Sequence, residues 1–127
     1  MTQGLGGIAA LRIPTPPADI GHAYYKFYVF VRPERLAPGW DRDRVMAEVN
    51  AQGVPCSVGS CSEIYLEKAF RDRGWGPQRP LPVARELGQT SLMFVVHPTL
   101  ADEATDYAIE TIRRVMGRAA GGSGGAG

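Results

Sequence analysis

Residues 23–32 read Ala-Tyr-Tyr-Lys-Phe-Tyr-Val-Phe-Val-Arg. The run is dense in aromatic and β-branched side chains, which suit a pleated, half-buried surface. Alternation puts Ala23, Tyr25, Phe27, Val29 and Val31 on one face and Tyr24, Lys26, Tyr28, Phe30 and Arg32 on the other. The second face is amphipathic, so it is expected to meet a cleft, a partner or water rather than a dry core.

Downstream, Asp41 is a good N-cap for a helix through Gln52, and Gly53 supplies its stop. Val54–Val58 reads as a short strand. The loop Ser57-Val58-Gly59-Ser60-Cys61-Ser62 is made of small residues, which permit close backbone approach and offer amide and hydroxyl donors. Ser62 is expected to cap a short helix to about Arg71. Pro82 opens a helix over Leu81–Leu87. Thr90–Val96 is an apolar run between turn signals, a buried strand. Thr99 is then expected to cap a last helix, with Ala104, Tyr107, Ala108, Ile112, Val115 and Met116 on one stripe and Gly117 as its stop.

The order β-α-β-α-α-β-α predicts a small two-layer α+β domain, a three-stranded sheet packed with about four helices. The ends differ from this body. Residues 1–21 hold Gly4, Gly6, Gly7, Pro14, Pro16 and Pro17, an extended lead-in. The domain proper then covers 22–117. Residues 118–127 are almost wholly Gly, Ala and Ser, a composition that cannot repay its ordering entropy.

The length, 127 residues, suits one domain. The formal charge is +1, from 14 basic and 13 acidic residues. That balance supports neither a nucleic-acid nor an anionic-membrane partner. No apolar run approaches a membrane span, and Met1–Ala10 lacks the pattern of a signal peptide, so a cytoplasmic protein is expected. In that compartment Cys56 and Cys61 read as reduced thiols; a local disulfide is the lesser reading, and a metal site, with only His22 and His97 to complete it, is weaker still.

No dinucleotide or phosphate-loop fingerprint is present, and no Ser/His/Asp motif. Gly59-Ser60-Cys61-Ser62-Glu63 invites a thiol-nucleophile reading, but nothing specifies a lowered thiol pKa. A turn with capping serines is the plainer reading. His22 and His97 both fall at strand ends, where sites often gather; loop-bonded histidines would look the same.

Three segments together resemble one family: His22–Phe27 (HAYYKF), Cys56–Phe70 (CSVGSCSEIYLEKAF), and Leu81–Leu87 (LPVAREL) with Val96–Leu100 (VHPTL). In order and spacing they are similar to the C-terminal small domain of the DegT/DnrJ/EryC1/StrS aminotransferases, pyridoxal-phosphate enzymes that aminate nucleotide-linked keto-sugars. The resemblance runs from about Leu11 to Met116. Another fold-type I pyridoxal-phosphate small domain is the runner-up.

The resemblance implies that this chain is part of a longer homodimeric enzyme. The family's large domain precedes this region and carries the Schiff-base lysine, the aspartate facing the pyridinium nitrogen and most phosphate contacts. Neither Lys26 nor Lys68, the two lysines here, matches that lysine, so no catalytic residue is expected in this chain. The amino donor implied is glutamate and the acceptor a nucleotide sugar of polysaccharide or secondary-metabolite biosynthesis. The substrate wall implied is His22, Tyr24 and Lys26 at the strand, Ser60, Cys61 and Ser62 in the loop, and His97. Many family members carry a His-Tyr pair where this chain has Gly59-Ser60, which leaves backbone amides and serine hydroxyls as the donors there. The alternative function is a stand-alone, non-catalytic binding module.

Overall fold

Extended backbone begins at Phe27 rather than Ala23, because Tyr24 takes a left-handed turn at φ 50°. In the computed structural model, which describes residues 1–121, the elements are α1 (Thr2–Leu5), β1 (Leu11–Arg12), β2 (Phe27–Val31), α2 (Arg42–Ala51), β3 (Cys56–Ser57), α3 (Lys68–Arg71), α4 (Pro82–Thr90), β4 (Ser91–Phe94) and α5 (Asp102–Ala119). The class is α+β.

The sheet has four strands in the order β1-β2-β4-β3, each neighbouring pair antiparallel. The strand beyond the expected three is β1, where Leu11 pairs Val31 and Arg12 pairs Phe30. It lies inside the Gly/Pro-rich lead-in, between signals that read as linker. Gly4 meets a packing requirement: it sits against Ile109, where a Cβ would come within 2.6 Å of its Cδ1. Leu5 beside it is fully buried. Arg113 of α5 then ties this segment down, donating to the Gly4 carbonyl at 2.6 Å. The expected extended segment 1–21 therefore begins with a helical turn.

Alternation along β2 holds. Phe27, Val29 and Val31 are buried, and Tyr28 and Phe30 are half-buried on the other face. The buried face meets Leu92 and Phe94 of β4, Val45 and Val49 of α2, and Ile112, Val115 and Met116 of α5 in one core. Helices α1, α2 and α5 pack with it as one layer.

The Asp41 cap forms as expected: its Oδ1 accepts from the Arg44 amide at 2.7 Å. Gly53 takes φ +80° after α2. Asn50 then bonds both backbone groups of Cys56, at 2.8 and 3.0 Å, so α2 itself pins β3.

Several boundaries differ from the sequence reading: α4 runs on to Thr90 rather than ending at Leu87, β4 is Ser91–Phe94 rather than Thr90–Val96, and β3 is Cys56–Ser57 rather than Val54–Val58. The helix expected from Ser62 is a 3-10 turn at Ile64–Leu66 followed by the single-turn α3. Thr99 does not cap α5; its hydroxyl pairs His97 Nδ1 at 2.9 Å, and α5 starts at Asp102. Gly117 does not stop α5. A mid-helix glycine costs only about 1 kcal/mol relative to alanine, and the flanking Met116 and Ala119 are buried. The left-handed residue is Gly121, at φ +69°. The Gly/Ala/Ser tail from residue 122 on lies outside the described residues.

Candidate functional site

The outward face of β2 carries Lys26, Tyr28 and Phe30 at period two. Tyr28 stands opposite Met93, which in turn stands opposite Ser57 of β3; Phe30 stands opposite Ser91. On this face lie the loop 58–62 and α4.

At the start of β2 the backbone turns sharply. The Tyr24 amide donates to His22 Nδ1 at 3.0 Å, and the two rings lie 4.3 Å apart, tilted by 58°. A bulky residue in the left-handed region is held there against its own sterics, a feature that clusters at functional sites. The turn brings His22, Tyr24 and Lys26 to one hollow of about 250 Å³, backed by Pro14 and Pro16 and closed by Tyr28. Tyr24 and Lys26 also border a larger open groove of about 880 Å³, whose far side carries Val96 and His97. The Lys26 ammonium lies 5.3 Å from the Tyr25 ring centre.

The loop builds a separate hollow of about 200 Å³ from Gly59, Ser60, Cys61 and Ser62 against Tyr28 and Ser91. Its seat is specific. The Gly59 amide donates to Ser91 Oγ at 3.2 Å, and a Cβ on Gly59 would lie 2.8 Å from that oxygen. Gly59 is required by this close approach, and no positive φ is involved. Beyond it, the Tyr65 hydroxyl donates to Glu63 at 2.6 Å and accepts from the Leu81 amide at 3.1 Å, which ties the loop's far end to the start of α4.

Seven residues were expected at one wall. His22, Tyr24 and Lys26 come together, and His97 joins Tyr24 and Lys26 across the larger groove. Ser60, Cys61 and Ser62 share none of that lining; Tyr28 lines both their hollow and the strand-start one, and its hydroxyl lies 3.2 Å from Ser60 Oγ. Tyr28 and Ser91 were not among the expected site residues. For Tyr28 the signal was present, since alternation places it on the Lys26 face. For Ser91 none was, because it reads as one residue of the buried run Thr90–Val96.

The surroundings of both thiols favour the protonated form. Cys61 is exposed, and a hydrogen bond to Glu67 at 3.3 Å raises its pKa above the ordinary thiol value. Cys56 is buried, and burial pushes it up to about 12. Both shifts oppose thiolate formation. The hydroxyls, amides and Lys26 are groups that bind and orient; they suit a polar, oxygen-rich ligand.

Residues 1–113 match the model of the DegT/DnrJ/EryC1/StrS aminotransferase family. Among solved structures, the aminotransferase from Psychrobacter cryohalolentis matches with 49% identity and a TM-score of 0.74, over 78% of this chain and 25% of that one. The aminotransferase TlmJ from Streptoalloteichus hindustanus matches at 24% identity and TM-score 0.74, over 92% and 29%. DesV from S. venezuelae, in complex with a ketimine intermediate, matches at 20% identity and TM-score 0.75, over 91% and 29%. At those identities the last two show the fold alone. This chain thus spans between a quarter and a third of each of these three structures. Among curated proteins none matches.

Proposed function

Because this chain belongs to the DegT/DnrJ/EryC1/StrS aminotransferase family, we propose that it is the small-domain part of a pyridoxal-phosphate enzyme that moves an amino group from glutamate to a nucleotide-linked keto-sugar. The enzyme is read as a cytoplasmic homodimer serving polysaccharide or secondary-metabolite biosynthesis. No described helix is long and apolar enough to cross a membrane.

The residues of this chain do not by themselves fit the cofactor. Among the described residues no carboxylate lines the hollows around Lys26, so none there could pair a pyridinium nitrogen. Lys68 lies exposed on α3, outside those hollows. Bound to the rest of such an enzyme, pyridoxal phosphate supplies the electron sink for amino transfer. The part assigned to this chain is to bind, orient and exclude water.

The observation that carries the reading is Tyr28, which lines both the hollow of His22, Tyr24 and Lys26 and the loop hollow, and lies 3.2 Å from Ser60 Oγ. Lys26 is half-buried and suits a diphosphate; the Ser60 and Ser62 hydroxyls and the cysteine between them line the separate loop hollow, on the other side of Tyr28. In the full-length enzyme, Lys26→Ala is expected to raise KM for the sugar nucleotide more than it lowers kcat, as loss of a contact made equally in ground and transition states does. A large kcat loss at unchanged KM would assign Lys26 to the chemistry instead. This chain alone, mixed with pyridoxal phosphate and reduced with borohydride, is expected to hold no stoichiometric lysine adduct. An adduct fixed on Lys26 would overturn the assignment of the lysine to another part of the enzyme.

A further inference from the structure

Arg42 is the first residue of α2, directly after the Asp41 cap. Its side chain is only 15% exposed, and its guanidinium reaches both its helical neighbour Asp43 and the junction of α4 and β4. Nη1 donates to the carbonyls of Gly88 and Ser91, each at 3.1 Å, while Nε donates to Asp43 at 2.7 Å. The Gly88 carbonyl falls in the last turn of α4, where helical partners run out.

Those two carbonyls belong to the two residues on which the candidate loop rests. Ser91 Oγ accepts the Gly59 amide. Ser62 Oγ occupies the space that a side chain on Gly88 would need. One guanidinium therefore fixes both supports of the loop from behind, at the junction of α4 and β4. Lysine does not replace this geometry, because its ammonium is a point charge on a flexible stem.

We propose that Arg42 is a positioning residue for the 59–62 loop: through Gly88 and Ser91 it sets where Gly59 and Ser60 stand relative to Tyr28. The loop's role as a substrate wall rests on the function proposed above; the positioning does not, and its test uses no substrate.

The test is site-resolved amide hydrogen exchange on this chain, comparing Gly59 with the protected amides of β2 and β4. Arg42→Met and Arg42→Lys are expected each to speed exchange at Gly59 about fivefold, the scale of one neutral hydrogen bond, with the β2 and β4 amides unchanged. Ser91→Ala is expected to reproduce the Gly59 effect with Arg42 intact. If Arg42→Met does not fold, Arg42→Lys and Ser91→Ala carry the comparison. Wild-type protection of Gly59 in Arg42→Lys, or an equal speeding of Gly59 and the sheet amides, would overturn the proposal. So would unchanged Gly59 protection in Ser91→Ala.

Discussion

The Tyr28 hydroxyl and Ser60 Oγ lie 3.2 Å apart across 32 residues of chain. The contact joins the strand-start hollow to the loop hollow. It is exposed to water, so its net worth is that of an ordinary neutral hydrogen bond, about 0.5–1 kcal/mol. Tyr28→Phe, which keeps the ring packing, is expected to lower unfolding stability by that amount, and Ser60→Ala by a similar amount. The double variant is expected to cost less than the sum. Denaturant midpoints measure all three. Strict additivity would mean that the two hydroxyls carry no coupling.

The two thiols are expected to separate by reactivity. In the native chain a thiol reagent should label Cys61 and leave Cys56, which is 8% exposed, until denaturant is added. The Cys61 midpoint should lie above that of a free thiol, because the thiol donates a hydrogen bond to the Glu67 carboxylate, which a thiolate could not do. Glu67→Gln removes the negative charge and should lower that midpoint. A native Cys61 labelling faster than a free thiol at about pH 8, near the ordinary thiol pKa, would contradict the geometry.

Cys56 also sets an alkaline limit. Burial raises it from 9.0 to about 12 in the folded chain, so folding favours the protonated thiol. Its contribution is intact below pH 9 and is lost as pH rises from 9 toward 12, while the unfolded thiol ionises first. Stability measured against pH should be flat in this respect below 9 and decline above it. Cys56→Ala should lower the plateau, since it leaves a small void, and remove that part of the alkaline slope.

Exposed apolar side chains concentrate between residues 64 and 83: Ile64, Leu66, Trp75, Leu81 and Val83 are each about half exposed or more. Tyr65 brings the two ends of this stretch together through the Leu81 amide. Tyr24, Tyr28 and Phe30, on the face expected to meet a cleft, a partner or water, are half-buried instead. Contiguous apolar surface drives association. Sedimentation of the chain is therefore expected to show mass rising with concentration, and Trp75→Gln with Val83→Lys to return it to a monomer. A wild-type chain monomeric at all concentrations would remove the patch as an interface.

The fold was legible where period and capping agree. Alternation in Phe27–Val31 separated core from outward face correctly, and Asp41 marked the start of α2. The sequence could not reveal β1, because a two-residue strand has no period and Leu11–Arg12 lies between glycine and proline signals. Nor could it separate Gly117 from Gly121 as the end of α5; that choice is made by burial of Met116 and Ala119, a tertiary effect. At the candidate site the strand start and the loop were legible as polar, small-residue segments. Their supports were not. Ser91 and Arg42 act across 32 and 49 residues, through a buried hydroxyl and a carbonyl that no local pattern advertises.

Two glycines that look alike in sequence should respond differently to alanine. Gly53 has φ +80°, and a Cβ there would meet nothing within 4 Å, so Gly53→Ala strains only the backbone, by about 1–2 kcal/mol. Gly59 has no such φ, but its Cβ would lie 2.8 Å from Ser91 Oγ and 3.1 Å from both Ser91 Cβ and Tyr28 Cε1. Gly59→Ala must therefore displace the loop or the tyrosine ring, at the cost of overpacking, about 1–3 kcal/mol. The two penalties differ in what relieves them. Ser91→Ala removes the closest atom and should recover part of the Gly59→Ala loss, while Ser91 Cβ and the Tyr28 ring keep the rest. The same change should do nothing for Gly53→Ala. Unfolding free energies of the single and double variants decide this. Equal, additive losses at both glycines would show that Gly59, too, serves only backbone conformation, and that the seat of the loop on Ser91 is incidental.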